Sequence, residues 1–294
     1  MYINHNQMAT NVANTLTSHY GNLQTSTQRL SSGLRVNSAA DDAAGLAIRE
    51  LMRTDIAALQ QGVRNANDAI SLIQTADGAL GVIDEKLTRM KELAEQAATG
   101  TYDSTQRLMI ESEYQAMASE ITRIANSTDF NGIHLLNGNL SSSVHSGTAM
   151  TSTGKMKIHF GTANDSAEDY YYIQIGTSTA SALGVGNQAD ANSKAYTVST
   201  QAAAQKALVG LTDAVVSKDK IRAHLGALQN RLENTISNLT TQAENLQAAE
   251  SRISDVDVAT EMTQFVRNQI LTQSAVAMLS HANSMPQMAM QLIG

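Results

Sequence analysis

The chain contains a single proline, Pro286, so nothing between residues 1 and 285 obliges a helix to break. Hydrophobic residues make up 42% of the 294 positions but aromatic residues only 4%, and tryptophan is absent. A compact core in a chain of this length normally draws on more aromatic side chains. Alanine, leucine, isoleucine and methionine suit the narrow seams between packed helices. The composition therefore favours long helices.

Both ends of the chain are almost free of charge. Arg29 is the first charged residue and Arg267 is the last, which leaves 27 uncharged residues from position 268 to Gly294. Both ends are patterned like helices, yet neither has the roughly 18 consecutive apolar residues that a membrane span needs. Because solvated termini usually carry charge, we expect these helices to be buried against each other or against further copies of the chain.

Apolar residues recur at steps of four and three along most of the sequence, which is the spacing of helices that pack in pairs. The longest helix is predicted over residues 44–99, with Gly62, Gly78 and Gly81 as weak points inside it. Its apolar stripe slips once, at Ile70–Ile73–Ala76, which predicts local overwinding. Further helices are predicted over about 104–127, from 201 to about 253, and after a break at 254–257.

The predicted fold is mainly α: an elongated antiparallel coiled coil or helical-hairpin rod with paired terminal helices and a small β-hairpin insert. Residues 1–43 and 256–294 would form an inner terminal-helix domain, and residues 44–137 and 201–255 a long-helix rod. Residues 138–200 are rich in Ser, Thr, Gly and Asn, and we expect a small surface insert there. Its hairpin would pair strands near 157–160 and 170–175.

Composition and motifs argue against several functional classes. A net charge of −7 argues against nucleic-acid binding as the main role. The chain has no cysteine, no apparent secretory signal and no catalytic or metal-ligand constellation, so we expect neither an enzyme nor a metal site. A GxGxxA pattern at 184–189 lacks the βαβ context that dinucleotide binding requires, so no cofactor is expected either.

Four segments carry a resemblance to a known family. Residues 28–48 read QRLSSGLRVNSAADDAAGLAI and resemble the amino-terminal signature of bacterial flagellin. GALQNRL at 226–232, AAESRISDVD at 248–257 and RNQIL at 267–271 are similar to its carboxyl-terminal half. The resemblance implies a minimal flagellin without large outer domains. Its terminal helices would line an inner tube of the filament, and its long helices would form a shell around that tube.

The resemblance also implies a route and partners. The chain would leave the cell unfolded through the flagellar type III apparatus and assemble outside it, at the filament tip. A flagellar export chaperone, the filament cap and the hook-junction proteins would be its partners besides copies of itself. Neither nucleic acid nor membrane insertion is expected.

Two sets of candidate site residues follow. We expect self-association through the apolar positions of the terminal helices: Leu16, Tyr20, Leu23, Leu30, Leu34, Phe265, Val266, Ile270, Val276 and Leu279. Residues 87–94 resemble the flagellin segment that a Toll-like innate immune receptor reads, with Arg89, Leu93 and Glu113 at matching positions. Thr88 and Lys91 replace the Gln and Arg common in the family, and a lysine cannot reproduce a bidentate guanidinium contact.

Three functions compete at this stage. The first is a filament subunit whose terminal helices are mobile in the free chain and fold on assembly. The second is a related structural protein of the hook–filament junction. The third is a secreted coiled-coil binding module or adhesin that works as a monomer, its terminal helices buried only against each other.

Overall fold

The protein is described here by a computed structural model that covers residues 6–142, 154–165, 168–186 and 197–293. Within these residues the chain forms six helices and two antiparallel strand pairs, which confirms the predicted mainly-α class with its β-hairpin. The helices are α1 (Gln7–Ser32), α2 (Ala43–Ala98), α3 (Ser104–Ser127), α4 (Ala180–Leu183), α5 (Gln201–Ser254) and α6 (Val258–Ile293). The strands are β1 (Asp129–Phe130), β2 (Ile133–His134), β3 (Met156–His159) and β4 (Tyr170–Ile173).

The chain divides into two compact units. The terminal unit comprises Met1–Ile56 and Glu244–Gly294, and the central unit comprises Ala57–Ala243. These limits differ from the sequence-based boundaries at 43/44 and 255/256. The described part of segment 138–200 belongs to the central unit, and it contributes apolar side chains to the core rather than lying only on the surface. These buried residues are Leu140, Ile173, Ile175, Ala180, Leu183, Val185 and Val198.

In the central unit, helix α2 presents one unbroken line of buried residues. It runs at alternating steps of three and four through Leu59, Gly62, Ala66, Ala69, Ile73, Ala76, Leu80, Ile83, Leu87, Met90, Ala94 and Ala97. The predicted slip is therefore wrong. Two small residues, Gly62 and Ala69, hold the buried positions, while the bulkier Val63 and Ile70 beside them are only partly buried. An apolar pattern read by side-chain size alone shifts by one residue at such places.

Gly62 is a close-approach site rather than a weak point. A Cβ added there would lie 2.1 Å from the carbonyl oxygen of Phe160, just beyond β3. By contrast, nothing lies within 4 Å of an added Cβ at Gly81 on the same helix. The missing side chain at Gly62 is what lets the hairpin backbone pack directly on α2.

Helices α3 and α5 both pack antiparallel to α2 in the central unit. The Nε of Arg107 on α3 donates to the carbonyl of Ala97 at 3.0 Å, close to the turn that joins the two helices. On α5, Lys218 pairs with Asp84 at 2.5 Å, and Arg222 pairs with Asp77 at 2.7 Å. On the same helix, Leu225, Leu232 and Leu239 are buried.

The hairpin forms as predicted, and a second, shorter strand pair was not predicted. Strands β3 and β4 pair in the register Lys157 with Tyr172 and Ile158 with Tyr171. The unpredicted pair, β1 and β2, flanks a turn at Asn131-Gly132, whose φ angles of 51° and 79° are left-handed. Strands of two residues carry too little pattern to be recognised from sequence.

Candidate self-assembly surface

The terminal helices α1 and α6 pack against each other in antiparallel orientation. The Arg29 guanidinium, near the end of α1, lies 3.7 Å from the Glu261 carboxylate in the first turn of α6. Toward the other end, Asn6 Nδ2 donates to the carbonyl of Ala282 at 2.7 Å. These two contacts, about one helix length apart, define the direction and the register of the pair.

The seam between these helices follows a heptad pattern on both sides. On α6 the heptad-spaced positions that are buried or half-buried are Glu261, Phe265, Asn268, Thr272, Ala275, Leu279, Ala282 and Pro286. On α1 the positions with this spacing are Ala9, Val12, Leu16, His19, Leu23, Ser26 and Leu30. Many of these side chains are small or polar. The seam therefore uses only part of the apolar surface that the two helices carry.

The apolar side chains left outside the seam are concentrated on α6. They include Val258, Met262, Val266, Ile270, Val276, Met278, Met285 and Met288, each at least 41% exposed. An amphipathic surface helix would place charged residues on this side. Beyond Arg267, α6 carries no charged side chain at all. A helix with apolar side chains on every side is normally buried against other protein segments.

Helix α1 offers an uncharged groove on its outer face. The exposed Tyr20 stands beside Gly21, where nothing lies within 4 Å of an added Cβ. Tyr20 and Gly21, together with side chains one and two turns further along α1, line a shallow groove of about 850 Å³. Its walls are Thr17, Tyr20, Gly21, Leu23, Gln24, Thr27, Gln28 and Ser31. Hydroxyl and amide groups around an apolar floor suit contact with another uncharged helix.

The predicted self-association residues fall into three groups. Five of them, Leu16, Leu23, Leu30, Phe265 and Leu279, lie in the seam within the chain. Four are exposed and free for contacts outside the chain: Tyr20, Val266, Ile270 and Val276. Leu34 lies beyond the end of α1, in an antiparallel bridge with Asp255.

Sequence reasoning missed the exposed methionines of α6. Met278 and Met285 are seven residues apart and Met288 follows three residues later, so their spacing could have marked one side of the helix. Because one apolar stripe was assigned to each helix, the second, exposed stripe of α6 was missed.

The two connectors beside the terminal helices pair with each other. Gly33 ends α1 with a left-handed φ of 73°. Arg35 N then donates to the carbonyl of Ser254 at 2.6 Å, and Val256 N donates to the carbonyl of Gly33 at 3.0 Å. The Arg35 guanidinium donates to the carbonyl of Ile253 at 2.7 Å. The signature residues therefore tie the end of α1 to the start of α6.

The acidic residues of the connectors cap helices and turns. Asp42 accepts from Gly45 N at 2.9 Å at the start of α2, as expected for an acid at a helix start. Asp41 accepts from the hydroxyl and the backbone N–H of Ser38, and these hydrogen bonds hold its pKa below the usual value. Asp257 accepts from the backbone N–H groups of Thr260 and Ala259 and from the Thr260 hydroxyl, so its pKa is lowered as well.

The second candidate surface lies on α2 and α3 in the central unit. Arg89 donates from Nε and from its terminal nitrogen to Glu113, at 3.0 and 2.9 Å, and also to Glu92 at 2.9 Å. The hydrogen bonds with Glu113 and Glu92 raise the pKa of Arg89. Leu93, the third residue of the set, is only 2% exposed and packs in the core, so its side chain is not exposed in this chain as those of Arg89 and Glu113 are. Its role as a contact residue stays a prediction.

The described residues offer little that could hold a metal or a cofactor. Among them, no group of three or more His, Asp or Glu side chains is arranged as a metal site. Gly184 ends the one-turn helix α4 with a φ of 73°, and residues 187–189 of the GxGxxA pattern lie outside the described residues. Within the same ranges, none of the helices has both the length and the apolar content to cross a membrane.

Comparisons with known proteins agree with the sequence resemblance. Residues 3–141 match the family described as the bacterial flagellin N-terminal helical region, and residues 208–293 match its C-terminal helical region. The flagellar filament 33 kDa core protein of Treponema phagedenis is 41% identical over 293 residues, and the match covers 100% of both chains. Flagellin of Bacillus subtilis is 43% identical over 310 residues, again covering 100% of both. The crystal structure of Bacillus cereus flagellin is 30% identical with a TM-score of 0.46, covering 64% of this chain and 94% of that one.

Proposed function

Because this chain belongs to the bacterial flagellin family, we propose that it is a structural subunit that polymerises with copies of itself into the flagellar filament. The observation that carries the proposal is the uncharged outer surface of the terminal helices. The exposed apolar side chains of α6 have no partner within the described chain, and copies of the same helices would cover them. The role is structural, without catalysis.

The exposed residues of α6 supply the driving force. Full burial of a Val, Ile or Met side chain stabilises by about 1.5–3 kcal/mol. Each of the eight exposed side chains of α6 is about half exposed in the single chain. Covering that exposed half would contribute on the order of 1 kcal/mol per side chain. The sum of such contacts, on the order of 8 kcal/mol per copy, adds to the burial within the seam and favours packing between copies. The absence of charge removes the desolvation cost that buried ions would add.

The apolar surface of α6 also distinguishes a filament subunit from the two alternative functions, a monomeric adhesin and a hook–filament junction protein. A monomeric adhesin would gain nothing from a helix that is apolar on every side. A hook–filament junction protein would need such a surface but would not elongate by itself. Only a filament subunit should add copies to a seed without limit.

The test places a charge on the exposed side of α6. Val266→Lys leaves the seam with α1 intact and buries an unpaired ammonium if copies pack there, so we expect seeded elongation to be lost. Val209→Lys is the matched control, because Val209 is also an exposed valine in a helix interior, on α5 in the central unit. Elongation is measured by sedimentation and negative-stain microscopy, and circular dichroism checks that both variants fold. Filaments of normal length from Val266→Lys would refute the proposed surface.

Export and assembly partners belong to the same proposal. We propose a secreted, extracellular protein of the bacterial flagellum that leaves the cell unfolded through the flagellar type III apparatus. The lack of cysteine and of any disulfide is compatible with that route. The export chaperone, the filament cap and the hook-junction proteins would contact this chain in turn. Secretion into the medium by a strain without the type III apparatus would contradict the route.

Recognition by the innate immune receptor for flagellin is a second, separate proposal. Arg89 and Glu113 support it, since both are exposed and their mutual hydrogen bonds hold them in one orientation. We expect Arg89→Ala to lower the response of receptor-reporter cells to the free subunit, with Arg64→Ala, an exposed arginine elsewhere on α2, as control. An equal response to both variants would exclude this site.

A further inference from the structure

We propose that the exposed methionines of the terminal helices are sites of oxidative modification, and that their conversion to the sulfoxide blocks assembly of the free subunit. The inference rests on the proposed function, because it requires this surface to be buried between copies. It concerns Met278, Met285 and Met288 on α6, which we call the methionine stripe.

The structure separates the methionines by their access to solvent. Met278 is 55% exposed, and Met285 and Met288 are 41% and 52% exposed. Met90, in the core of the central unit, is fully buried. Met109 on α3 is 69% exposed but lies outside the terminal helices. Solvent access is a main determinant of how readily a thioether is oxidised. A peroxide should therefore modify the methionine stripe and Met109 while sparing Met90.

The chemistry needs only a peroxide. Hydrogen peroxide transfers one oxygen atom to the thioether sulfur: the O–O bond breaks, an S–O bond forms, the sulfur is oxidised and the peroxide leaves as water. The product is a polar and chiral side chain in place of a flexible apolar one. In a helical polymer, the same lesion recurs at the same contact in every modified copy.

The surroundings of the methionine stripe make this change costly. The sulfoxide oxygen is a strong acceptor that has to find a donor when it is buried. Beyond Arg267, α6 carries no lysine or arginine that could provide one. Its other exposed large side chains, such as Ile270, Leu271 and Val276, are apolar. A thioether is well accommodated in such a contact, whereas a sulfoxide is not.

The experiment compares assembly after graded peroxide treatment of the full-length free subunit. Mass spectrometry of peptides reports which methionines carry the added oxygen, and seeded elongation reports assembly. The test variant replaces the methionine stripe by leucine (Met278→Leu, Met285→Leu and Met288→Leu), which roughly conserves side-chain volume and cannot be oxidised. The matched control is Met109→Leu.

We expect peroxide to slow elongation of the unsubstituted protein by roughly tenfold or more, as an unpaired buried acceptor would. After peroxide treatment, the stripe variant should keep its untreated elongation rate. Met109→Leu should be slowed as much as the unsubstituted protein is. Treatment of the oxidised protein with both methionine sulfoxide reductases should restore elongation. Equal loss in the stripe variant would overturn the inference. So would normal elongation of unsubstituted protein that carries sulfoxides on the stripe.

Two further outcomes are also decisive. If the stripe variant does not assemble even untreated, recovery of the oxidised unsubstituted protein by the reductases decides the question, and the lack of recovery overturns the inference. If the untreated, unsubstituted protein does not elongate, the proposed filament function fails, and this inference falls with it. Failure of the inference alone leaves untreated assembly intact.

Discussion

Lys218 provides the sharpest test of how the central unit is held together. It occupies a core position of α5, in the series Leu211, Ala214, Lys218 and Leu225 that otherwise buries apolar side chains. Only 1% of the residue is exposed. Its ammonium lies 2.5 Å from the Asp84 carboxylate on α2 and 2.7 Å from that of Asp219. Burial disfavours the charged form, yet the hydrogen bonds that the ammonium donates to Asp219 and Asp84 outweigh it and raise the Lys218 pKa.

The expected magnitudes follow from this asymmetry between a buried cation and two partly exposed anions. Asp84→Asn removes one charged hydrogen bond, a contribution of about 1.5–3 kcal/mol when fully developed. Because the Asp84 side chain is 39% exposed, we expect a loss of about 1–2 kcal/mol. Lys218→Met removes the buried charge and keeps the volume, so stability should stay within about 1 kcal/mol or rise. Lys218→Ala should cost about 2–4 kcal/mol, because it leaves a cavity.

A double-mutant cycle gives the decisive reading. Asp84→Asn in the Lys218→Met background should cost less than about 0.5 kcal/mol, since the partner of Asp84 is gone. Urea unfolding of the free full-length subunit, followed by helical circular dichroism below the concentration of assembly, measures each free energy. An unchanged cost of Asp84→Asn in that background would refute the argument. So would a loss above about 3 kcal/mol for Lys218→Met.

The pH dependence adds a second check on the same side chain. The pKa of Lys218 in the folded protein is raised above its ordinary value of 10.5. The stabilisation from the charged form is therefore fully present below that value and is lost as the pH rises through the higher folded-state pKa. The unsubstituted protein should lose stability in this alkaline range, and Lys218→Met should lose less.

Two further predictions concern a close backbone approach and a helix cap. Gly62→Ala should destabilise the central unit by roughly 1–3 kcal/mol because its Cβ would overlap the Phe160 carbonyl, whereas Gly81→Ala should stabilise it by about 0.5–1 kcal/mol; thermal unfolding distinguishes the two signs, and equal signs would contradict the close approach. The lowered pKa of Asp257 predicts that capping of α6 is present above the ordinary value of 3.8 and is lost as the pH falls through the folded-state value. The amide hydrogen-exchange protection of the first turn of α6, taken relative to the intrinsic exchange rate at each pH, should therefore fall on acidification in the unsubstituted protein but not in Asp257→Asn, and an identical response would refute the capping role.

The helices and their packing in pairs could be predicted from the sequence because they depend on local and periodic properties. The lack of proline before residue 286 and the steps of three and four decide that long helices form, and their limits were predicted within a few residues. The turn at Asn131-Gly132 is equally local, since its left-handed angles favour those residue types. The absence of charge at both ends likewise marks the helices proposed for assembly without reference to contacts.

Which side of each helix faces which partner was decided only by the tertiary structure. Gly62 and Ala69 hold seam positions because another backbone or helix approaches closely there, and no local pattern contains that distance. The sequence could not show that Leu93 is buried while Arg89 is exposed, because both lie on one helix and its rotation is set by α3 and α5. On α6 the apolar residues surround the helix, so periodicity alone cannot select a seam. The register with α1, fixed near both ends by Arg29 and Asn6, places Phe265 and Leu279 inside the seam and leaves Val266, Ile270 and the methionine stripe exposed.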